Sequence, residues 1–172
     1  MKPINKILVI LILCFIFLTA CGNGGNDGEE SSSIKITSYS VEGTSPASDG
    51  VVPINSIVND GVFKVSWSVS SDDIYHIELY LSNDDELSRD TDVDFFGRNC
   101  GSISTACKQN GSVDCRFTTQ NKISCGTISI YNPEKDITPF LDQIPKAAYL
   151  IMEACNALFD SCETASVQVE LQ

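Results

Sequence analysis

Six cysteines, one histidine, a run of carboxylates and three phenylalanines are the residues whose types and spacing could do chemistry in this chain. Cys100, Cys107, Cys115, Cys125, Cys155 and Cys162 could hold a metal, exchange electrons or close disulfides. No CxxC pair occurs, and a single histidine supplies no histidine-rich ligand set, so zinc and redox sites are poor readings and no metal or cofactor is expected. An even number in an exported chain reads as three disulfides. Six cysteines allow fifteen connectivities. The spacing favours local ones: Cys155 with Cys162 closing a hairpin around 156–161, Cys115 with Cys125 symmetric about Gln120 with 119–121 as the loop, and Cys100 with Cys107 as the remainder.

His76 falls on the polar side of an alternating segment with no nucleophile and acid placed around it, and reads as an exposed strand residue rather than a base. GxSxG, HExxH, P-loop and GxGxxG motifs are absent, so no catalytic residues are assigned and enzymatic activity is not expected. The acidic stretch Asp84, Asp85, Glu86, Asp90, Asp92, Asp94 suggests hard-oxygen coordination of calcium. Its Asp-Thr-Asp-Val-Asp start then departs from a calcium loop, with Phe95 where the turn glycine belongs and Gly101 where the closing glutamate belongs. A solvated loop or edge strand is the better reading of residues 84–94. Phe95, Phe96 and Phe159 fall in expected loops, where they form either an exposed contact surface or small clusters tucked under the loops.

The elements that must position these residues are strands. Runs of β-branched and aromatic residues alternate with polar ones between clusters of Gly, Ser, Asn, Asp and Pro, and no helical stripe appears. Expected strands cover 34–41, 50–57, 61–70, 74–82, 112–119, 122–131, 147–155 and 163–171. Phe63, Val65, Trp67 and Val69 alternate with Lys64, Ser66, Ser68 and Ser70, one face core and one face wet. Tyr75, Ile77, Leu79 and Leu81 alternate with His76, Glu78 and Tyr80, which predicts a hairpin partner for the preceding strand. Eight short strands imply two packed sheets.

The run FKVSWSVSSDDIYHIELYLS, followed by AAYLIMEACNALFDSCETASVQVEL, resembles the second, third and last two strands of fibronectin type III and related bacterial immunoglobulin-like domains. The resemblance implies an immunoglobulin-like (fibronectin type III-like) two-sheet sandwich with disulfide-stapled loops over 34–172. It also implies that Trp67 packs on Tyr75 and that Tyr149 opens the penultimate strand. Glu153 stands where that family usually has an aliphatic residue, so the inward set is expected to be Leu150, Met152 and Ala154. No cysteine lies in the second strand, so the inter-sheet disulfide of antibody domains is absent.

Residues 1–20 read as a secretion signal: Lys2 and Lys6, then twelve unbroken apolar residues over 7–18, then Thr19 and Ala20. Twelve residues of helix reach only ~18 Å against ~30 Å of hydrocarbon, so a membrane span is disfavoured. Leu18-Thr19-Ala20-Cys21 resembles the lipobox of bacterial lipoproteins. The resemblance implies cleavage before Cys21, a thioether-linked diacylglycerol on its sulfur, and acylation of the freed amine by a palmitate-type chain. An ordinary signal peptide ending beside an incidental cysteine is the competing reading. No aspartate follows Cys21, which in a double-membraned bacterium implies sorting to the outer membrane. Residues 21–33 are then a lipidated tether, because GNGGNDGEESSS has nothing to bury.

Removing residues 1–20 takes away Lys2 and Lys6 but none of the 23 acidic residues, so the net charge moves from −12 to −14. Nucleic acid is excluded as a partner on that balance, as is a polybasic membrane patch. The expected protein is therefore a cell-envelope lipoprotein attached to its membrane through lipid. It would act as a recognition module for an unidentified protein or glycan or, alternatively, as a structural accessory subunit of a periplasmic or outer-membrane assembly.

Overall fold

The computed structural model describes residues 33–71, 73–101 and 107–172. The leader, Cys21, the tether to residue 32, and residues 102–106 lie outside the described residues. The described chain is an all-β sandwich of two five-stranded sheets. The first runs in the order β1 (Lys35–Glu42), β3 (Val62–Ser70), β6 (Asn110–Phe117), β7 (Lys122–Cys125), β8 (Lys135–Asp136). The second runs β2 (Val52–Ile54), β10 (Cys162–Leu171), β9 (Lys146–Asn156), β4 (Tyr75–Ser82), β5 (Val93–Cys100). Neighbours are antiparallel throughout except β2, which runs parallel to β10.

The period-2 pattern of β3 survives folding intact. Phe63, Val65, Trp67 and Val69 are buried, while Lys64 and Ser70 face water. On β4, Tyr75, Ile77, Leu79 and Leu81 are fully buried. The two strands are not the expected hairpin: β3 pairs with β1 and β6, and β4 with β9 and β5. Each carries one continuous apolar face, and placing them in opposite sheets lets those faces meet across the core instead of side by side. Trp67 and Tyr75 are both core residues, and the Tyr75 hydroxyl donates to the Lys108 carbonyl at 2.5 Å. The Trp67 indole packs closely against Gly111, where an added Cβ would come within 2.4 Å of the ring. On β9 the inward set is Leu150, Met152 and Ala154, as expected.

Three disulfides close the three local loops that spacing favoured. Cys115–Cys125 and Cys155–Cys162 join residues directly opposite each other, on β6/β7 and β9/β10, and Cys100–Cys107 ties the end of β5 to the segment before β6. Loops of this size restrict the unfolded chain by about 2–3 kcal/mol each in the loop-entropy account.

Two further expectations need correcting. The strand expected over 122–131 stops at Cys125, because Gly126 takes a left-handed φ of 62° and turns the chain outward. Ile128, Ile130 and Tyr131 are exposed on the loop that follows. Phe95 and Phe96 are not loop residues: both lie on β5 and both are 1% exposed. Leu79 opposes Phe96 and Tyr80 opposes Asp94, leaving Phe95 as the extra residue of a β-bulge. The bulge breaks the alternation, so two consecutive rings turn inward.

Candidate functional site

The outward face of β4 carries His76, Glu78 and Tyr80, and β5 places Asn99 opposite His76 and Gly97 opposite Glu78. Alternation aims these β4 side chains away from the core, and the register decides what meets them. His76 Nδ1 is 2.7 Å from Asn99 Oδ1, and His76 Nε2 is 3.2 Å from Glu78 Oε1. The Tyr80 hydroxyl donates to the other Glu78 oxygen. Burial, and secondarily this bond to a carboxylate, push the Tyr80 phenol well above its ordinary range, so it stays a donor at neutral pH.

β9 adds a second carboxylate directly opposite the first, Glu153 across from Glu78. Like charges facing each other on adjacent strands repel, and here the pair is compensated from outside. Arg89, on the β4–β5 connection, reaches back to Glu153 Oε1 at 2.6 Å. The hydrogen bond to this carboxylate raises the Arg89 pKa further above its already high ordinary value. Glu153 is almost completely buried and Arg89 more than half exposed, so the arginine acts as a lid on a charge that the sheet has taken out of water. That ion pair is what compensates the buried Glu153 carboxylate on the outward side of β9.

A cleft of about 330 Å³ opens beside this network, with His76, Glu78, Gly97, Asn99, Tyr131 and Pro133 among its walls and Asp94, Arg98 and Lys135 adding charge. Its floor lies at Gly97, where an added Cβ would meet nothing closer than the His76 ring at 3.5 Å. Arg98 is stacked over Phe96 with its guanidinium carbon 5.0 Å from the ring centroid, and Lys135 approaches Asp94 at 3.8 Å. Opposite the β4 wall, the 126–134 loop is fastened to the sheet edge by the Gly97 amide, which donates to Asn132 Oδ1 at 2.9 Å. This leaves Tyr131, at 85% exposure, standing on the rim.

Phe159 borders the same network from the tip of the β9–β10 hairpin. It is 56% exposed, and its ring centroid lies 5.5 Å from that of His76. Its backbone sits in the left-handed region at φ 58°, which costs a bulky residue about 1–2 kcal/mol. The Cys155–Cys162 disulfide, the Phe159 amide bond to the Asn156 carbonyl at 3.0 Å and the Asp160 amide bond to Asn156 Oδ1 at 3.2 Å hold the tip in that shape.

Of the three phenylalanines offered as contact residues, the structure thus leaves Phe159 at the surface and moves Phe95 and Phe96 into the core. The acidic stretch makes local turns: Asp84 Oδ1 accepts from the Glu86 amide and Asp92 Oδ2 from the Ser88 amide. Among the described residues, Glu153, Cys155 and Cys162 are the one group close enough to share an ion, but both sulfurs are spent in a disulfide and offer no thiolate. Glu78 was visible in the sequence beside His76. Gly97, Asn99 and Tyr131 were hidden behind an unrecognised strand and an overlong one. No protein family and no curated protein matches this chain.

Proposed function

We propose that this chain is a lipid-anchored envelope protein whose sandwich works by recognition at the cleft beside His76. The observation that carries the reading is a pair of exposed aromatic rings on fastened loops, Tyr131 on the rim of the polar cleft and Phe159 against the His76 ring that walls it. Preorganised loops lose little further entropy when they bind, and aromatic side chains supply large contact area at low ordering cost. The Leu18–Cys21 tetrapeptide supports the anchor, and a thioether diacylglycerol with an acylated amine would bind a bilayer far more firmly than a single chain. The strand order supports an immunoglobulin-like reading of the sandwich: β1, β3 and β6 in one sheet, β10, β9, β4 and β5 in the other, and β2 parallel beside β10.

Two measurements test the proposal. Radiolabelled palmitate should enter the wild-type chain and not Cys21→Ser, and label in both would remove the anchor. The soluble exported Cys21→Ser chain should be retained by whole-envelope preparations, and adding Phe159→Ala with Tyr131→Ala should release it without lowering the melting temperature. Retention that ignores both rings would remove the cleft as the recognition surface.

A further inference from the structure

The cleft is small, open at its floor, hydrogen-bonding on one wall and charge-balanced. Its volume of about 330 Å³ lies at the bottom of the range for ligand pockets, ~300–1,000 Å³, which suits one ring-sized moiety rather than a folded partner. The open floor is a consequence of residue choice: opposite Glu78, β5 carries glycine, and the space a side chain would fill is left free. The wall beside it presents imidazole, carboxylate and carboxamide groups in an array fixed by its own hydrogen bonds, with Tyr80 locking Glu78 from behind.

Charge narrows the ligand class further. Glu78 and Asp94 are set against Arg98 and Lys135, so the cleft has no excess of either sign. The opposed charges give a cation as much repulsion as attraction, and an anion additionally meets a mature chain of net charge −14. An uncharged ligand meets neither obstacle. It must still offer several groups that both donate and accept, to match the wall, and a flat apolar face, to lie on Tyr131. A pyranose ring has both: hydroxyls around its edge and a face of C–H groups.

We propose, building on the recognition reading above, that the cleft between His76, Gly97 and Tyr131 binds a neutral saccharide, seating one pyranose ring over Gly97 with its edge hydroxyls on Glu78 and Asn99. Tyr131, on the rim, supplies the stacking face, while Phe159 packs against the His76 ring.

The test uses the exported chain carrying Cys21→Ser. The probes are methyl glycosides of glucose, galactose, mannose and N-acetylglucosamine with their trisaccharides, alongside a tetralysine peptide and a sulfated disaccharide, followed by calorimetry and by the amide resonances of Gly97 and Tyr131. At least one neutral saccharide should bind saturably and move both resonances. Tyr131→Ala, at an exposed rim position, should weaken that binding by about tenfold or more while the melting temperature holds. Gly97→Val, which fills the floor on a strand that tolerates a branched residue, should abolish it. No response to any neutral saccharide, or binding that survives both substitutions, overturns the proposal. Cleft-dependent binding of tetralysine or of the sulfated probe alone also overturns it but leaves recognition at this site standing. If in addition the two-ring variant stays on envelopes, the recognition reading falls as well.

Discussion

The outward faces of β3 and β4 start from the same kind of alternating sequence and end in opposite conditions. On β3, Lys64, Ser66, Ser68 and Ser70 meet water or a neighbouring polar group, and the hydrogen bond from the Ser68 hydroxyl to Asn110 Oδ1, at 2.6 Å, lies at the surface. On β4, the outward Tyr80 and Ser82 are buried, His76 and Glu78 are half-buried, and the facing strand contributes the buried pair Ile151 and Glu153. An ordinary outer face needs only solubility. The second face keeps ionisable groups partly out of water, which costs free energy that must be recovered by pairing, and such arrangements cluster where a protein binds or reacts.

The largest effect that separates the two sheets should come from the first. Gly111→Ala pushes a methyl into the Trp67 ring and should destabilise the domain by about 2–3 kcal/mol in denaturant unfolding, by overpacking, while the cleft of the folded fraction keeps its binding. An unchanged midpoint would mean that the indole has room to move. Next, Arg89→Ala uncovers the buried Glu153 carboxylate. Because Arg89 is more than half exposed and water can screen the loss, the expected cost is about 1–2 kcal/mol, against at most ~0.5 kcal/mol for Lys64→Ala on the plain face. Equal costs would erase the distinction between the faces.

A smaller difference should appear in alkali. Burial raises the phenols of Tyr39, Tyr75 and Tyr80 above the ordinary value of 10.0. A group whose folded value is raised contributes stability that is fully present below pH 10.0 and is lost as pH climbs from there toward the folded value. Melting temperature should therefore fall above pH 10, and Tyr80→Phe should flatten part of that fall. A profile identical to wild type would mean that the Tyr80 phenol contributes nothing to it. The smallest stability effect belongs to Phe159→Gly: relief of the left-handed φ and loss of a ring that already faces water should nearly cancel, leaving the melting temperature within a few degrees. A large drop would show the ring to be structural.

The two faces also differ in how much of them could be read beforehand. Strict alternation on β3 and β4 revealed the core, the inward set on β9 and the polar side of His76, because period 2 maps directly onto burial when a strand is regular. Local spacing revealed the disulfides, since residues paired across a tight hairpin are also near in sequence. What escaped was everything that rests on partners distant in sequence. Whether β3 and β4 pair or face each other is settled by β1, β6 and β9, not by the turn between them. β5 was hidden because its bulge at Phe95 puts two aromatics inward in succession and erases the period. With β5 unseen, Asn99 could not be placed against His76, nor Gly97 against Glu78, and the cleft had no second wall.

The Asn132 side chain has a further consequence. β5 closes one end of its sheet, and the terminal strand of a sheet offers backbone amides and carbonyls on which another molecule's strand can grow. Asn132 Oδ1 already holds the Gly97 amide, in the middle of that strand. A single carboxamide therefore occupies the edge amide that an incoming strand would need at mid-strand, on the glycine that lines the cleft.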